Sequence, residues 1–125
     1  LRLEGGRFDM LFGRDEILLG ALAMGARGAV GTTYNFAAPL YRRIMDAFAR
    51  GDLQAARAEQ ARAAEMIAVM LRSGGVSASK AMMGLIGLDC GPPRPPLRAL
   101  DAAATARLRA ELERVGFFEF CCRMP

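Results

Sequence analysis

Two short apolar runs in this sequence each end at a glycine that is followed by polar side chains. The first run ends at Gly13, which precedes Asp15 and Glu16, and the second ends at a glycine that precedes Thr32. Carboxylates accept hydrogen bonds from the hydroxyl groups of a sugar, a threonine hydroxyl both donates and accepts, and a glycine leaves room for a ligand beside the backbone. The pattern therefore predicts that the polar residues after the two runs, Asp15 and Glu16 and those from Thr32 to Asn35, line half of a substrate pocket.

The same side chains have a simpler interpretation. Acidic residues are favourable in the first turn of a helix, where they interact with the helix dipole, and Asp15 and Glu16 stand at the start of a predicted helix. Thr32 and Thr33 are likewise able to satisfy backbone groups where the next helix begins. The residues by themselves leave the structural and the functional interpretation open.

A strand, a helix and a second strand are predicted to position these side chains. Residues 8–12 form a short apolar and aromatic run typical of a buried strand, and residues 28–31 are too short and too rich in glycine for a helix. Between them, apolar residues follow helical spacing from Glu16 until Gly25. This succession predicts a right-handed βαβ crossover, in which parallel strands end at the same edge of a sheet.

Helices account for the rest of the predicted structure. They run over Pro39–Arg50, from an Asp52 cap to Leu71, over Val76–Leu88, and from an Asp101 cap to Val115, with a proline-rich loop at residues 90–96. Two parallel strands do not form a stable sheet by themselves. We therefore expect either that residues outside this chain complete the sheet, or that the strands lie exposed against the helices.

Composition narrows the class of protein. The 125 residues are 53% hydrophobic, which predicts a packed globular core. The net charge of +4 comes almost entirely from arginines scattered among acidic residues at helical spacing, a pattern that disfavours nucleic-acid binding. Because no apolar run approaches the roughly 20 residues that a membrane span needs, no membrane segment is predicted.

Side chains that often carry chemistry are few. The sequence has no histidine, so neither a histidine general base nor a histidine-containing zinc site is available. Cys90, Cys121 and Cys122 fit free thiols of a reducing compartment. A lysine can form a Schiff base, but the surroundings of Lys80 have the pattern of an amphipathic helix, which favours a structural role. A first predicted strand close to residue 1, without an initiator Met, indicates a piece of a longer chain.

Four segments carry a resemblance to a known family. They are Gly13-Arg14-Asp15-Glu16, the run from Met24 to Asn35, Gly51-Asp52, and the run from Gly91 to Leu97. Over roughly residues 8–120 the chain resembles the N-acetylneuraminate lyase branch of the class I pyruvate-dependent aldolase family, which also contains dihydrodipicolinate synthase. The resemblance implies an α/β fold, with the last two strands of a (β/α)8 TIM barrel in residues 1–50 and a mainly α-helical C-terminal extension in residues 51–125.

The resemblance also implies roles for individual residues. In the lyases a Gly-x-Asp-Glu motif binds the hydroxylated tail of the sialic acid, and it corresponds here to Gly13, Asp15 and Glu16. A serine that binds the same tail corresponds to Thr32, which keeps the hydroxyl group. Arg14 stands where the family usually has an uncharged residue, which leaves the identity of the sugar acid open.

The implied activity is reversible aldol cleavage of N-acetylneuraminate to N-acetylmannosamine and pyruvate through a Schiff base. The lysine, the tyrosine and the carboxylate-binding loop of that reaction belong to earlier strands, so we expect no catalytic residue in this chain and no lyase activity from it alone. No metal or organic cofactor is implied, and the intact enzyme is expected to be a cytoplasmic tetramer. Two alternatives remain: another 2-keto acid aldolase or synthase of the same family, and a non-catalytic helical oligomerisation module.

Overall fold

The computed structural model describes residues 3–123 and shows two short parallel strands followed mainly by helices. The elements in chain order are β1 (Leu11–Phe12), α1 (Leu18–Ala23), β2 (Gly28–Ala29), α2 (Tyr34–Ala49), α3 (Leu53–Arg72), α4 (Val76–Leu85), α5 (Ala102–Arg114) and α6 (Phe117–Phe120). Short 3-10 helices lie at Leu3–Gly6 and Asp15–Ile17. The α/β class predicted from the sequence is confirmed.

The two strands pair in parallel, as the βαβ pattern predicts. Leu11 lies opposite Gly28 and Phe12 opposite Ala29, and the N–H of Val30 donates to the carbonyl of Phe12 at 2.9 Å. Both strands are shorter than the predicted runs, because β1 and β2 have only each other as hydrogen-bonding neighbours among the described residues. The parallel pairing places the carboxyl ends of both strands side by side.

The helix predicted to begin at Pro39 begins at Tyr34 instead. The backbone at Ala37, with φ −132° and ψ 23°, divides α2 into two helical segments. Pro39 consequently lies in the first turn of the second segment, where the N–H that proline lacks would have had no helical partner. The prediction was wrong because proline marks the start of that segment rather than the start of the whole helix.

The two predicted helix caps are confirmed. Asp52 accepts a hydrogen bond from the N–H of Ala55 at 3.0 Å at the start of α3, and Asp101 accepts one from Ala104 at 2.7 Å at the start of α5. Helix α4 ends at Leu85, earlier than predicted. The segment 90–96 contains no helix or strand, as its prolines predict.

The hydrophobic core lies mainly between α2 and α3 and continues to the C-terminal helices. Fully buried side chains include Phe36 and Leu40 of α2, Met66 of α3, and Phe117 and Phe120 of α6. The 3-10 turn at the end of β1 rests on α3, so this long helix supports the edge of the sheet where the predicted site residues lie. Within residues 3–123, no helix combines the length and the apolar character that crossing a bilayer requires.

Candidate functional site at the carboxyl ends of the strands

The structure brings the four predicted site residues to one cleft. Gly13, Asp15 and Glu16 follow β1, Thr32 follows β2, and all four line a cleft of about 310 Å³. Helix α3 adds an apolar wall through Ile67, Met70 and Leu71. The sequence does not reveal this wall, because the apolar pattern of α3 is the same whether a side chain faces the core or a cleft.

Asp15 is buried and is held by the residue next to Thr32. Its side chain is 7% exposed, and its Oδ2 accepts hydrogen bonds from both the backbone N–H of Thr33, at 3.1 Å, and the Thr33 hydroxyl, at 2.5 Å. These contacts join the ends of the two strands through one carboxylate. Thr33, which the sequence analysis considered only for capping or ligand contact, is therefore a partner of Asp15.

Two tyrosines of α2 extend this buried polar cluster. The hydroxyl of Tyr41 lies 2.6 Å from Oγ1 of Thr33, and the ring of Tyr34 packs edge-on against the ring of Tyr41 at a centroid distance of 4.4 Å. Burial, followed by the negative charge of Asp15, raises the pKa of Tyr34 well above its usual value. Burial also raises the pKa of Tyr41, although its hydrogen bond with Thr33 acts in the opposite direction. Both phenols are therefore protonated at neutral pH.

Two buried side-chain oxygens within the described part of the chain have no hydrogen-bond partner, and both belong to this cluster. They are Oδ1 of Asp15 and the hydroxyl of Tyr34. Gly31 leaves room for the Asp15 carboxylate, since a Cβ at this position would overlap Oδ1. The contact between Tyr34 and Asp15 falls outside good hydrogen-bond geometry, yet an interaction with the Asp15 side chain is among the causes that raise the pKa of Tyr34, so this phenol is a donor within the chain for the Asp15 carboxylate.

Gln60 of α3 fixes the backbone on which the acidic residues stand. Its Oε1 accepts a hydrogen bond from the N–H of Leu19 at 2.8 Å, and its Nε2 donates to the carbonyl of Asp15 at 3.2 Å. The amide thereby joins α3 to the turn that carries Asp15 and to the first turn of α1. A glutamine within a helix gives no sequence signal for two such distant contacts, so this residue was missed.

The other predicted site residues are more accessible. Glu16 is partly exposed and forms an ion pair of 2.9 Å with the exposed Arg14, which also lines the cleft. Thr32 is exposed. A Cβ on Gly13 would meet only the carbonyl oxygen of Val30, at 3.7 Å, so no neighbour in this structure requires glycine there. Its predicted role in admitting a ligand remains a prediction.

Lys80 has the structural environment that its sequence context favours. Its Nζ donates to the carbonyl of Cys90 at 2.7 Å and to that of Gly91 at 3.4 Å, which ties α4 to the proline-rich loop. Over residues 3–123, no three His, Cys, Asp or Glu side chains converge in a group that could hold a metal ion. The polar groups of the cleft itself are the carboxylates of Asp15 and Glu16, the guanidinium of Arg14 and the hydroxyl of Thr32.

Fold and cleft together define an α/β protein with polar groups collected at the carboxyl ends of parallel strands, where barrel enzymes bind their substrates. Residues 2–115 match the Dihydrodipicolinate synthetase family, and the chain belongs to this family.

Relatives within the family carry more than one name. The chain is 41% identical to the N-acetylneuraminate lyase of Rattus norvegicus over 116 residues, which cover 91% of this chain and 36% of that enzyme. It is also 41% identical over 100 residues to 4-hydroxy-tetrahydrodipicolinate synthase 1 of Streptomyces coelicolor, covering 78% of this chain and 33% of the synthase. The chain thus spans about a third of the length of these relatives.

A solved structure gives the same result for the fold. The N-acetylneuraminate lyase of Proteus mirabilis superposes with a TM-score of 0.88 at 44% identity, covering 94% of this chain and 40% of that enzyme.

Proposed function

We propose that this chain forms the sugar-recognising part of an N-acetylneuraminate lyase, which cleaves N-acetylneuraminate reversibly to N-acetylmannosamine and pyruvate. The observation that carries the proposal is that Gly13, Asp15, Glu16 and Thr32 follow two different strands yet line one cleft. Their carboxylates and hydroxyl are suited to the hydroxyl groups of a sugar tail. The names of the lyase relatives support N-acetylneuraminate as the sugar acid.

The rest of the reaction belongs to residues outside this chain. In the proposed enzyme, residues 1–50 form the last two βα units of a (β/α)8 barrel and residues 51–125 the helical extension. A lysine on an earlier strand forms the Schiff base with the keto acid. The chain contributes selectivity, because buried polar groups left unpaired by the wrong sugar weaken its binding. A soluble tetramer with sialic acid and pyruvate as its small-molecule partners is part of the proposal.

A second candidate is a synthase or another 2-keto acid aldolase of the family. It is favoured by the identity to the Streptomyces coelicolor synthase, which equals the identity to the rat lyase. The ion pair of Arg14 with Glu16 also favours this candidate, because it reduces the negative charge that the cleft offers to sugar hydroxyl groups. The two candidates differ in their substrates, which a single enzyme assay separates.

The test uses a hybrid enzyme, in which this chain replaces the segment of the Proteus mirabilis lyase that it matches. We expect the hybrid to release pyruvate from N-acetylneuraminate, and the 125-residue chain alone to release none. Glu16→Gln should raise KM for the sugar acid by about tenfold, as expected for a lost charge-assisted hydrogen bond. Glu65→Gln, which changes an exposed carboxylate of α3, is the matched control and should leave KM unchanged.

Three outcomes would count against the proposal. A folded hybrid that condenses pyruvate with other aldehydes but does not cleave N-acetylneuraminate would favour the second candidate. An unchanged KM after Glu16→Gln would show that Glu16 does not take part in sugar recognition. Pyruvate release by the purified chain alone would show that the catalytic groups lie within it.

A further inference from the structure

A second cavity adjoins the cleft that holds the predicted site residues. It has a volume of about 380 Å³, within the usual range of small-molecule sites, and lies between the start of α2 and the end of α4. We call it the side pocket, and its walls include Thr32, Asn35, Phe36, Lys80, Met83 and Leu88. Thr32 is exposed and lines both cavities. A ligand that reaches Thr32 from the cleft therefore has room to extend into the side pocket.

The polar wall of the side pocket consists of hydrogen-bond donors. Nζ of Lys80 donates to the carbonyls of Cys90 and Gly91, and an ammonium group has three protons, so one proton remains for another acceptor. Every ion pair in the part of the chain that the structure describes is formed by an arginine, so no carboxylate competes for that proton. Nδ2 of Asn35 donates to the carbonyl of Thr32 at 2.9 Å, which holds this amide at the boundary between the two cavities.

The opposite wall of the side pocket is apolar. Phe36 belongs to the core, Met83 is half-buried, and Leu88 is 40% exposed. No acidic side chain lines the side pocket, whereas the carboxylates of Asp15 and Glu16 line the cleft. The cleft is therefore suited to hydroxyl groups that donate, and the side pocket to a group that accepts a hydrogen bond and carries an apolar part.

An acyl ester has both of these properties. Its carbonyl oxygen accepts hydrogen bonds and donates none, and its alkyl group gains free energy by leaving water. A phosphate or sulfate would pair with Lys80 but would also place charged oxygens beside Phe36 and Met83, which is costly. An unsubstituted hydroxyl group would gain nothing from the apolar wall.

We propose that the side pocket receives an acyl ester carried on the tail of the sugar acid. Lys80 donates to the ester carbonyl, and Met83 and Leu88 contact the alkyl group. The inference rests on the proposed function and adds a substrate class to it, the O-acylated sugar acids. Lys80 takes no part in the cleavage of the carbon–carbon bond, and the ester stays on the amino-sugar product.

The first measurement compares two substrates of the parent hybrid enzyme. They are N-acetylneuraminate and the same sugar acid with an acetyl ester on the terminal hydroxyl of its tail. Pyruvate release follows both reactions equally, because the ester is not part of the pyruvate product. We expect KM for the ester to be about fourfold lower, as burial of one methyl group predicts, with kcat changed less than about twofold.

The second measurement uses three variants of the hybrid. Lys80→Met removes the ammonium group at a similar length, and it should raise KM for the ester about tenfold but KM for N-acetylneuraminate less than about twofold. Leu88→Gln weakens the apolar wall and should raise KM for the ester by about threefold. Leu97→Gln is the matched control, because Leu97 is 46% exposed and lines neither cavity. It should leave both KM values unchanged.

The outcomes separate this inference from the proposed function. A folded hybrid that is inactive on both substrates overturns both. An active hybrid whose KM for the ester equals or exceeds that for N-acetylneuraminate overturns the side pocket alone. If Lys80→Met raises both KM values equally, this lysine only ties α4 to the loop, and its role as donor to the ester is wrong.

A hybrid that does not fold is replaced by the 125-residue chain, with binding of the acetyl ester followed by saturation-transfer NMR. The acetyl methyl protons should receive saturation from the protein, and Leu88→Gln but not Leu97→Gln should reduce that transfer. Transfer to the sugar protons without transfer to the acetyl methyl overturns the inference alone. No transfer to any proton of the ester overturns the proposed function as well.

Discussion

Gly31 allows a carboxylate to lie against the end of a strand. A Cβ built at this position would overlap the carboxylate of Asp15, whose Oδ2 is fixed by two hydrogen bonds from Thr33. Because both sides of the contact are constrained, an added methyl group cannot be accommodated by a simple side-chain rotation. The requirement for glycine here is one of space, and it comes from the Asp15 side chain, which follows the other strand.

Gly31→Ala should therefore destabilise the protein. We expect a loss of about 1–3 kcal/mol in the free energy of unfolding, the usual cost of overpacking a buried site, measured by urea denaturation. Gly20→Ala is the matched control: Gly20 is exposed on α1, and an added Cβ would meet no atom within 4 Å. That variant should gain about 0.5–1 kcal/mol from reduced chain entropy. Equal stabilities of the two variants would contradict this description of Gly31.

At the scale of the elements, α3 both covers the core and supports the turn after β1. The side chain of Gln60 makes this connection with two hydrogen bonds, to the N–H of Leu19 and to the carbonyl of Asp15. The N–H of Leu19 lies in the first turn of α1, where it has no partner within the helix, so the Gln60 amide caps α1 from another helix.

Replacing Gln60 by methionine tests this connection between elements. Methionine has a similar length and helix propensity, so the change removes the hydrogen bonds without opening a large cavity. We expect a loss of about 1–3 kcal/mol, because two partly buried backbone groups lose their partner, with a lower melting temperature as the readout. Gln54→Met in the exposed first turn of α3 provides the comparison and should change stability by less than about 0.5 kcal/mol. An equal loss of stability in the two variants would show that the hydrogen bonds of Gln60 do not stabilise the protein.

The elements also show what the sequence could predict. Asp52 and Asp101 were predicted as helix caps because a cap is a local event, in which a side chain accepts from the backbone three residues later. The parallel pairing followed from the βαβ spacing. The strand ends predicted where polar groups collect, and the family resemblance singled out the four cleft residues. The start of α2 was missed because the kink at Ala37 depends on packing. Thr33 and Gln60 were missed as partners of Asp15 because long-range side-chain contacts leave no periodic pattern.

At the scale of the whole molecule, one apolar surface stays open beside the strands. Met10, Leu11, Ile17 and Met24 contribute to an apolar groove of about 420 Å³ next to β1 and α1. Met24 is 80% exposed and Ile17 is 55% exposed, although both are large apolar residues. In the proposed barrel, strands and helices outside this chain cover this groove. In the 125-residue chain it is exposed to water.

The isolated chain should therefore associate with itself through the groove, since contiguous apolar surface of this kind is usually buried in an interface. Sedimentation velocity over a range of concentrations should show a concentration-dependent increase in the mean sedimentation coefficient. The double variant Ile17→Gln, Met24→Gln should abolish that increase and leave the melting temperature nearly unchanged, because both side chains are already largely exposed. Leu97→Gln changes an apolar residue that is 46% exposed and lies outside the groove, so this variant should associate as the parent chain does. A chain that stays monomeric at all concentrations, or an equal effect of Leu97→Gln, would show that the groove does not drive association.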